Sequence, residues 1–296
     1  MTVSKADEAL GEAERLWMAG EAQRARECYR RARMLYHQDK DAEGQANALT
    51  GLGDLEARLG HLDAAREAFT EARVLLAPGG DQRRQGALLT RLGELAHRSG
   101  ILGEARNCYD AAGELFDAAG DLSGEAHVLK RRGHIERDEG RQDVALDLYT
   151  QALTLYRRAA DGLGEAHVLR SLAALHDVLG QPDRAHEGYE RALELFREAG
   201  DVLGEAGTLT GLAHLLRRTH SLAEAITGLE TAATLYGQAG HLRGEADICF
   251  ELGRMSAQNG DSSHARRHFL RAADLYERSE ATELRRKALR EAQSLQ

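Results

Sequence analysis

The 296-residue chain predicts an all-α solenoid of about seven helix-turn-helix units in a row, closed by one C-terminal helix. Three observations predict it. The sequence repeats itself every 40 residues through nearly its whole length. Each repeat reads as two helices punctuated by glycine. The composition suits helices, with only two prolines, 5% aromatic, 29% charged and 42% apolar residues.

The repeat is strict. Ala25, Ala65, Ala105, Ala145, Ala185, Ala225 and Ala265 recur without exception, as do Ala32, Ala72, Ala112, Ala152, Ala192, Ala232 and Ala272. Leucine recurs from Leu35 to Leu275, and an aromatic recurs at Tyr29, Phe69, Tyr109, Tyr149, Tyr189 and Phe269, with Leu229 in its place once. The repeats run over about 4–40, 41–80, 81–120, 121–160, 161–200, 201–240 and 241–280, and 281–296 form a capping helix, all within one expected domain, 1–296. One repeat cannot bury its own apolar face, so neighbours must stack.

The first helix of a repeat opens on phrases such as DLSGEA (121–126), DGLGEA (161–166) and DVLGEA (201–206). Aspartate is a good N-cap, and the glutamate falls in the first turn, where the helix dipole favours it. Gly60, Gly100, Gly140, Gly180 and Gly260 mark the turn to the second helix, which ends at Gly120, Gly200 and Gly240. Helices approach closely only where small residues line the contact, so the alanines of the second helix are expected to face Gly53, Gly93, Gly133, Ala173, Ala213 or Gly253 of the first.

These residues resemble the tetratricopeptide repeat (TPR) family. Its pattern appears as Leu49-x2-Leu52-Gly53 with Ala65-x3-Phe69, and again as Leu89-x2-Leu92-Gly93 with Ala105-x3-Tyr109. The resemblance covers about residues 4–280, but the period is 40 and the family's closing proline is absent. This variant is similar to the repeats of Pins-type polarity scaffolds and bacterial signal-transduction regulators. The resemblance implies a right-handed superhelix whose first helices line a concave groove, and peptide binding in that groove.

The ends depart from the pattern. Glu12 replaces a core leucine, Trp17 and Met18 are unusual, and Leu284, Ala288 and Leu295 are expected to cover the last repeat. Pro78, Gly79 and Gly80 break the linker after the second repeat and predict a flexible joint. The sixth repeat is the most degenerate, with His220 in place of glycine.

Once the scaffold positions are set aside, a polar stripe remains on the first helices. Over repeats three to six it holds Arg91, Arg98, Lys130, Arg131, Arg137, Arg170, Arg217 and Arg218 against Glu94, Asp138 and Asp177. His97, His127, His134, His167 and His214 lie on the same stripe, in a chain whose net charge is -9. Forked arginine donors match carboxylates and phosphates. The expected peptide-binding residues are Arg91, His127, Lys130, Arg131, His134, Arg137, His167, Arg170, His214 and Arg217. The plainer reading is a solvated face whose arginines pair with nearby acids. The histidines could titrate near neutrality and tighten anion binding in acid.

Arg132 stands where Leu52, Leu92, Leu172, Leu212 and Leu252 stand in other repeats. Its stem can fill the leucine slot while its head pairs with an acid such as Glu136; the sharper reading is an irregularity that opens the solenoid.

Other chemistry is weak. His264 and His268 have a metal-clamping spacing but no third ligand, and read as a solvent-facing pair. There is no phosphate-cradling glycine loop and no nucleophile elbow, so neither a catalytic residue, a cofactor nor a metal is expected, and the chain is not expected to be an enzyme. Net negative charge and a stripe without stacking aromatics argue against nucleic acid. The chain has no apolar run of about 18 residues and no apolar core in its charged N-terminus, so neither a membrane span nor a signal peptide is expected. Cys28, Cys108 and Cys249 are few and scattered, as in packing residues of a reducing compartment, so a cytoplasmic location is expected.

The expected function is a non-enzymatic scaffold that holds an acidic protein segment or a C-terminal carboxylate in its groove. The alternatives are a regulatory sensor that binds a small signal peptide, and a self-assembling scaffold, a homo-oligomer that docks its own acidic N-terminal cap.

Overall fold

The computed structural model describes residues 4–76, 81–219 and 221–295. Among these residues every regular element is an α-helix, and there are fifteen of them. They fall into two compact units, one ending at Ala159 and the other beginning at Ala160.

The N-terminal unit holds α1 (Lys5–Met18), α2 (Ala22–Gln38), α3 (Ala42–Arg58), α4 (Leu62–Leu76), α5 (Gln82–Arg98), α6 (Leu102–Ala118), α7 (Leu122–Asp138) and α8 (Gln142–Arg158). The C-terminal unit holds α9 (Gly162–Val178), α10 (Pro182–Ala199), α11 (Val202–Arg218), α12 (Leu222–Gln238), α13 (Leu242–Gln258), α14 (Ser262–Arg278) and α15 (Thr282–Gln293). Within each unit every helix packs on its chain neighbours, as in a helical solenoid.

The expected caps are present. Asp41, Asp121, Asp161 and Asp201 accept from the backbone N–H of Gly44, Gly124, Gly164 and Gly204, three residues on. The turn glycines take left-handed φ, but Lys40, Ala160 and Glu280 hold the same conformation without being glycine, so the turn is set by the repeat as a whole. The joint expected at Pro78, Gly79 and Gly80 and the irregularity at His220 lie outside the described residues.

Both alanine columns are wholly buried. At the glycines of the first helices, however, the nearest neighbour is not an alanine. A Cβ on Gly93 would stand 2.7 Å from Tyr109 Cε1, on Gly133 2.5 Å from Tyr149 Cε1, and on Gly253 2.8 Å from Phe269 Cδ1. The recurring aromatic ring therefore lies flush on the glycine, whereas Ala173 shares a buried cluster with Ala185 and Ala213 with Ala225. The end cap is as expected: Ala288 is buried, with Leu284 packed on the cluster of Cys249, Ala272, Leu275 and Tyr276, and Leu295 packs beside Phe269. At the other end Arg58 lies over the Trp17 ring, and Met18 is exposed.

Arg132 pairs with Asp110 on α6, Nη1 to Oδ1 at 2.7 Å, and not with Glu136. Glu136 is itself buried and already accepts from Arg106 at 3.0 Å and from Arg141. The arginine thus ties α7 to the preceding repeat, where a leucine would pack. His264 is exposed and pairs with Asp261 at 2.6 Å. The three thiols are free, and burial pushes all three up, Cys249 to about 11. No helix among the described residues is long and apolar enough to cross a membrane.

Candidate functional site

The stripe on the first helices has a regular electrostatic construction. Arg91 forks onto Asp54 of the preceding repeat, Nε to Oδ1 at 2.8 Å and Nη2 to Oδ2 at 3.2 Å, across 37 residues. Arg131 reaches Glu94 at 2.5 Å through the same step. In the C-terminal unit the step recurs with its polarity reversed. Glu251 takes the position of Arg91 and Arg131, and meets His214 at 2.8 Å across 37 residues. Arg217 joins that glutamate at 3.2 Å, and Arg218 pairs with Asp177 one repeat back. A second step links His97 to Asp138 at 3.5 Å, and Asp138 also accepts from Arg137 at 2.7 Å. The basic stripe is therefore a ladder of ion pairs between repeats, and most of its charge is matched within the chain.

The histidines divide. The His134 ring lies edge-on to Tyr149 and its Nδ1 stands 2.7 Å from the phenol oxygen. Burial, helped by the charges of Arg137, Lys130 and Arg131, holds it down to about 3. His127, 3.5 Å from Glu94 and 3.3 Å from Arg131 Nε, is also lowered by burial, although Glu94 opposes this. These two rings are neutral at pH 7, so they are not the titrating anchors expected of them. Burial pushes Glu94 up, but the hydrogen bond from His127 and the charges of Arg131 and Arg91 outweigh it and leave the carboxyl below its usual range. His167 lies 3.8 Å from Asp201 and edge-on to Phe196.

Two cations lie over aromatic rings. Lys130 is 8% exposed, with its Nζ 5.9 Å above the Tyr156 ring. Arg170 is half-buried over Phe196 at 5.6 Å, and burial depresses its guanidinium. Among the described residues no carboxylate lies within ion-pair distance of Arg170.

The structure also opens clefts that sequence reasoning missed. One of about 490 Å³ lies along α1, α3 and α5, among Leu10, Trp17, Tyr29, Gly51, Asp54 and Arg91. A second of about 390 Å³ continues along α3, α5 and α7, among Asp54, Thr90, Arg91, Glu94, Gly124 and His127. They share the Asp54–Arg91 pair as a wall. A third of about 780 Å³ lies between α2 and α4 over Leu49 and Leu52 of α3. The signal for the first was available: Gly51 stands at the repeat position of Arg91 and Arg131, so no long side chain projects from it into the cleft and the Tyr29 ring lies against it. Of the expected site residues, Arg91, His127, Lys130, Arg131, His134 and Arg137 belong to the N-terminal unit. His167, Arg170, His214 and Arg217 belong to the C-terminal unit.

Residues 124–198 match the family model for the tetratricopeptide repeat, and residues 185–296 match that for soluble NSF attachment protein. No curated protein matches the chain. Among solved structures, the fold is similar to aspartyl phosphate phosphatase F from Bacillus subtilis. That pair has a TM-score of 0.72 and 13% identity over 91% of this chain and 70% of the other. It is similar to the Rap conjugation gene regulator of plasmid pLS20, solved in complex with the Phr* peptide, with a TM-score of 0.67 and 16% identity over 94% of this chain and 76% of the other. It is also similar to BtubC from P. vanneervenii, with a TM-score of 0.59 and 19% identity over 80% of this chain and 93% of the other.

Proposed function

The chain is built of tetratricopeptide repeats, and on that scaffold we propose that it is a non-enzymatic binding module that holds a partner peptide segment along its first helices. The observation that carries this reading is the pair of adjoining clefts along α1, α3, α5 and α7, of about 490 and 390 Å³, separated by one ion pair. A row of subsites spaced by the repeat suits an extended or helical segment, and linings that mix apolar side chains with fixed charged ones suit specific binding.

The preference for acidic partners takes a narrower form than a continuous cationic track. Arg91, Arg131 and Arg217 already hold carboxylates, so a partner's acid gains at these positions only by exchange with Asp54, Glu94 or Glu251. The gain should be concentrated where a cation lacks a carboxylate, at Arg170. Acidic segments then bind through a few fixed contacts, with Lys130 and Arg131 as anchors on the N-terminal unit and Arg170 as the anchor on the C-terminal unit, and with affinity that falls as salt rises.

The regulatory reading, a sensor of a small signal peptide, is favoured by the similarity in fold to the Rap regulator solved with its Phr* peptide. The test is an array of 15-residue peptides probed with the intact chain and with an Arg131→Glu, Arg170→Glu variant. Binding of acidic peptides by the wild type, lost in the variant at unchanged helical circular dichroism, is the expected result. Equal binding by both proteins rejects the assigned residues, and a silent array rejects the module.

A further inference from the structure

The repeats can be compared with one another at a single position of the first helix. In α1 that position is Asp7, and the Tyr36 hydroxyl donates to its Oδ1 at 2.7 Å. In α13 it is Asp247, and the Tyr276 hydroxyl donates to its Oδ1 at 2.6 Å. There a guanidinium completes the group. Arg243 Nε lies 3.2 Å from each Asp247 oxygen, and the Arg243 Cζ stands 5.5 Å above the Tyr276 ring. The recurring arrangement is a phenol and a carboxylate, joined by an arginine in the last case.

In the hairpin of α11 and α12 the tyrosine is Tyr236, but the position of the aspartate is Gly207. The arginine is supplied from the neighbouring repeat. A Cβ on Gly207 would stand 2.8 Å from Arg170 Nη1 and 3.6 Å from the Tyr236 hydroxyl oxygen. One turn along, Gly211 again has no side chain, and a Cβ there would meet the Tyr189 hydroxyl oxygen at 2.9 Å. Among the described residues, Arg170 and the Tyr236 and Tyr189 hydroxyls have no hydrogen-bond or ion-pair partner. Asp201, the carboxylate whose charge acts on Arg170, is committed elsewhere: its Oδ1 accepts from Gly204 N–H at 2.9 Å, and its Oδ2 stands 3.8 Å from His167. Holding a half-buried guanidinium without a counter-ion is costly, and the rest of the ladder avoids it.

We propose that Arg170, Tyr236 and the bare Cα of Gly207 form a receptor for one carboxylate of a bound partner, which completes from outside the group that Asp247 completes from within the chain. The inference rests on the first helices being the binding face, and it names the chemical group that this face selects. The forked guanidinium takes the carboxylate edge, and the Tyr236 phenol donates to one oxygen. Gly207 leaves free the place that the Asp247 side chain takes in its own repeat, and Gly211 lets the Tyr189 ring lie against the helix. Tyr189, with its hydroxyl at the border, is placed to donate to the second oxygen.

The experiment follows the Gly207 amide and the Arg170 Nε–H by nuclear magnetic resonance while the intact chain is titrated with sodium acetate, acetamide or inorganic phosphate. Saturable shifts with acetate and none with acetamide are expected. Arg170→Gln should abolish the response, and Tyr236→Phe should weaken acetate by roughly tenfold, the size of a hydrogen bond to a charged group. Gly207→Asp supplies a tethered carboxylate, so acetate should no longer perturb Arg170; the clash is with the mobile end of that side chain. Equal shifts with acetamide, a response that survives Arg170→Gln at native circular dichroism, or tighter binding of phosphate than of acetate would overturn the assignment. An acetate-silent protein that still binds the peptide array loses this receptor alone, whereas acetate binding with a silent array rejects the peptide module and keeps the receptor.

Discussion

At the scale of single residues, the stripe shows how far a side chain's surroundings can depart from its position in a pattern. His134 lies on the polar edge of α7, yet burial against Tyr149 keeps it neutral, with its proton taken up only near about 3. The unfolded chain takes up that proton near 6.5, the ordinary value for the side chain. Between these limits the unfolded state binds more protons than the folded one, so stability falls as pH is lowered from 6.5 towards 3. The slope is at most about 1.4 kcal/mol per pH unit, or roughly 2 kcal/mol between pH 6.5 and 5. His127, also lowered by burial, acts in the same direction. Replacement of His134 by Gln keeps a polar group beside Tyr149 and cannot titrate. Its urea midpoint should therefore fall less than the wild type's between pH 7 and pH 5, and parallel losses would contradict the neutral ring. Arg132 teaches the same lesson. The sequence marks it as a charge in a leucine slot, but only the packing shows Asp110, from the preceding repeat, as its partner.

At the scale of helices and hairpins, much was legible before any coordinates. The capping aspartates, the turn glycines, the two buried alanine columns and the closing helix α15 all stand where the 40-residue period puts them. These features are local, or are repeated seven times, so one chain supplies its own comparison. The contact between the first and second helices was read less well, because the pairing of a glycine with an aromatic ring depends on where the ring turns. That contact makes a direct prediction. Gly133→Ala places a methyl 2.5 Å from Tyr149 Cε1, in a place where the ring is fully buried and cannot swing aside. Overpacking of this kind costs about 1–3 kcal/mol, more than the gain in helix propensity of about 1 kcal/mol. A lowered midpoint in denaturant is expected. Gly103→Ala serves as the control, since nothing lies within 4 Å of a Cβ there and its α6 site should gain from the change. A stabilised Gly133→Ala would show that the ring does not hold the glycine.

At the scale of the whole molecule, the sequence shows the basic stripe but not its neutralisation. Charges 37 residues apart meet only once the repeats stack, and Arg91, Arg131 and Glu251 find opposite partners by that one step in either polarity. The clefts were hidden for the same reason, since an absent side chain such as Gly51 has meaning only against its neighbours. Stacking also decides how stability is distributed. In a solenoid each repeat is stabilised by its own helices and by the neighbours on which it packs, so damage at one end should stay near that end. α15 covers Cys249, Ala272, Leu275 and Tyr276 with Ala288 and Leu284. Deletion of residues 281–296 should therefore expose that cluster and lower amide protection in α13 and α14, while protection in α1 to α4 is unchanged. Hydrogen exchange followed by mass spectrometry reads both ends in one experiment. Uniform loss of protection across the chain would mean that the molecule unfolds as a single cooperative block and that its stability is not a sum over neighbouring repeats.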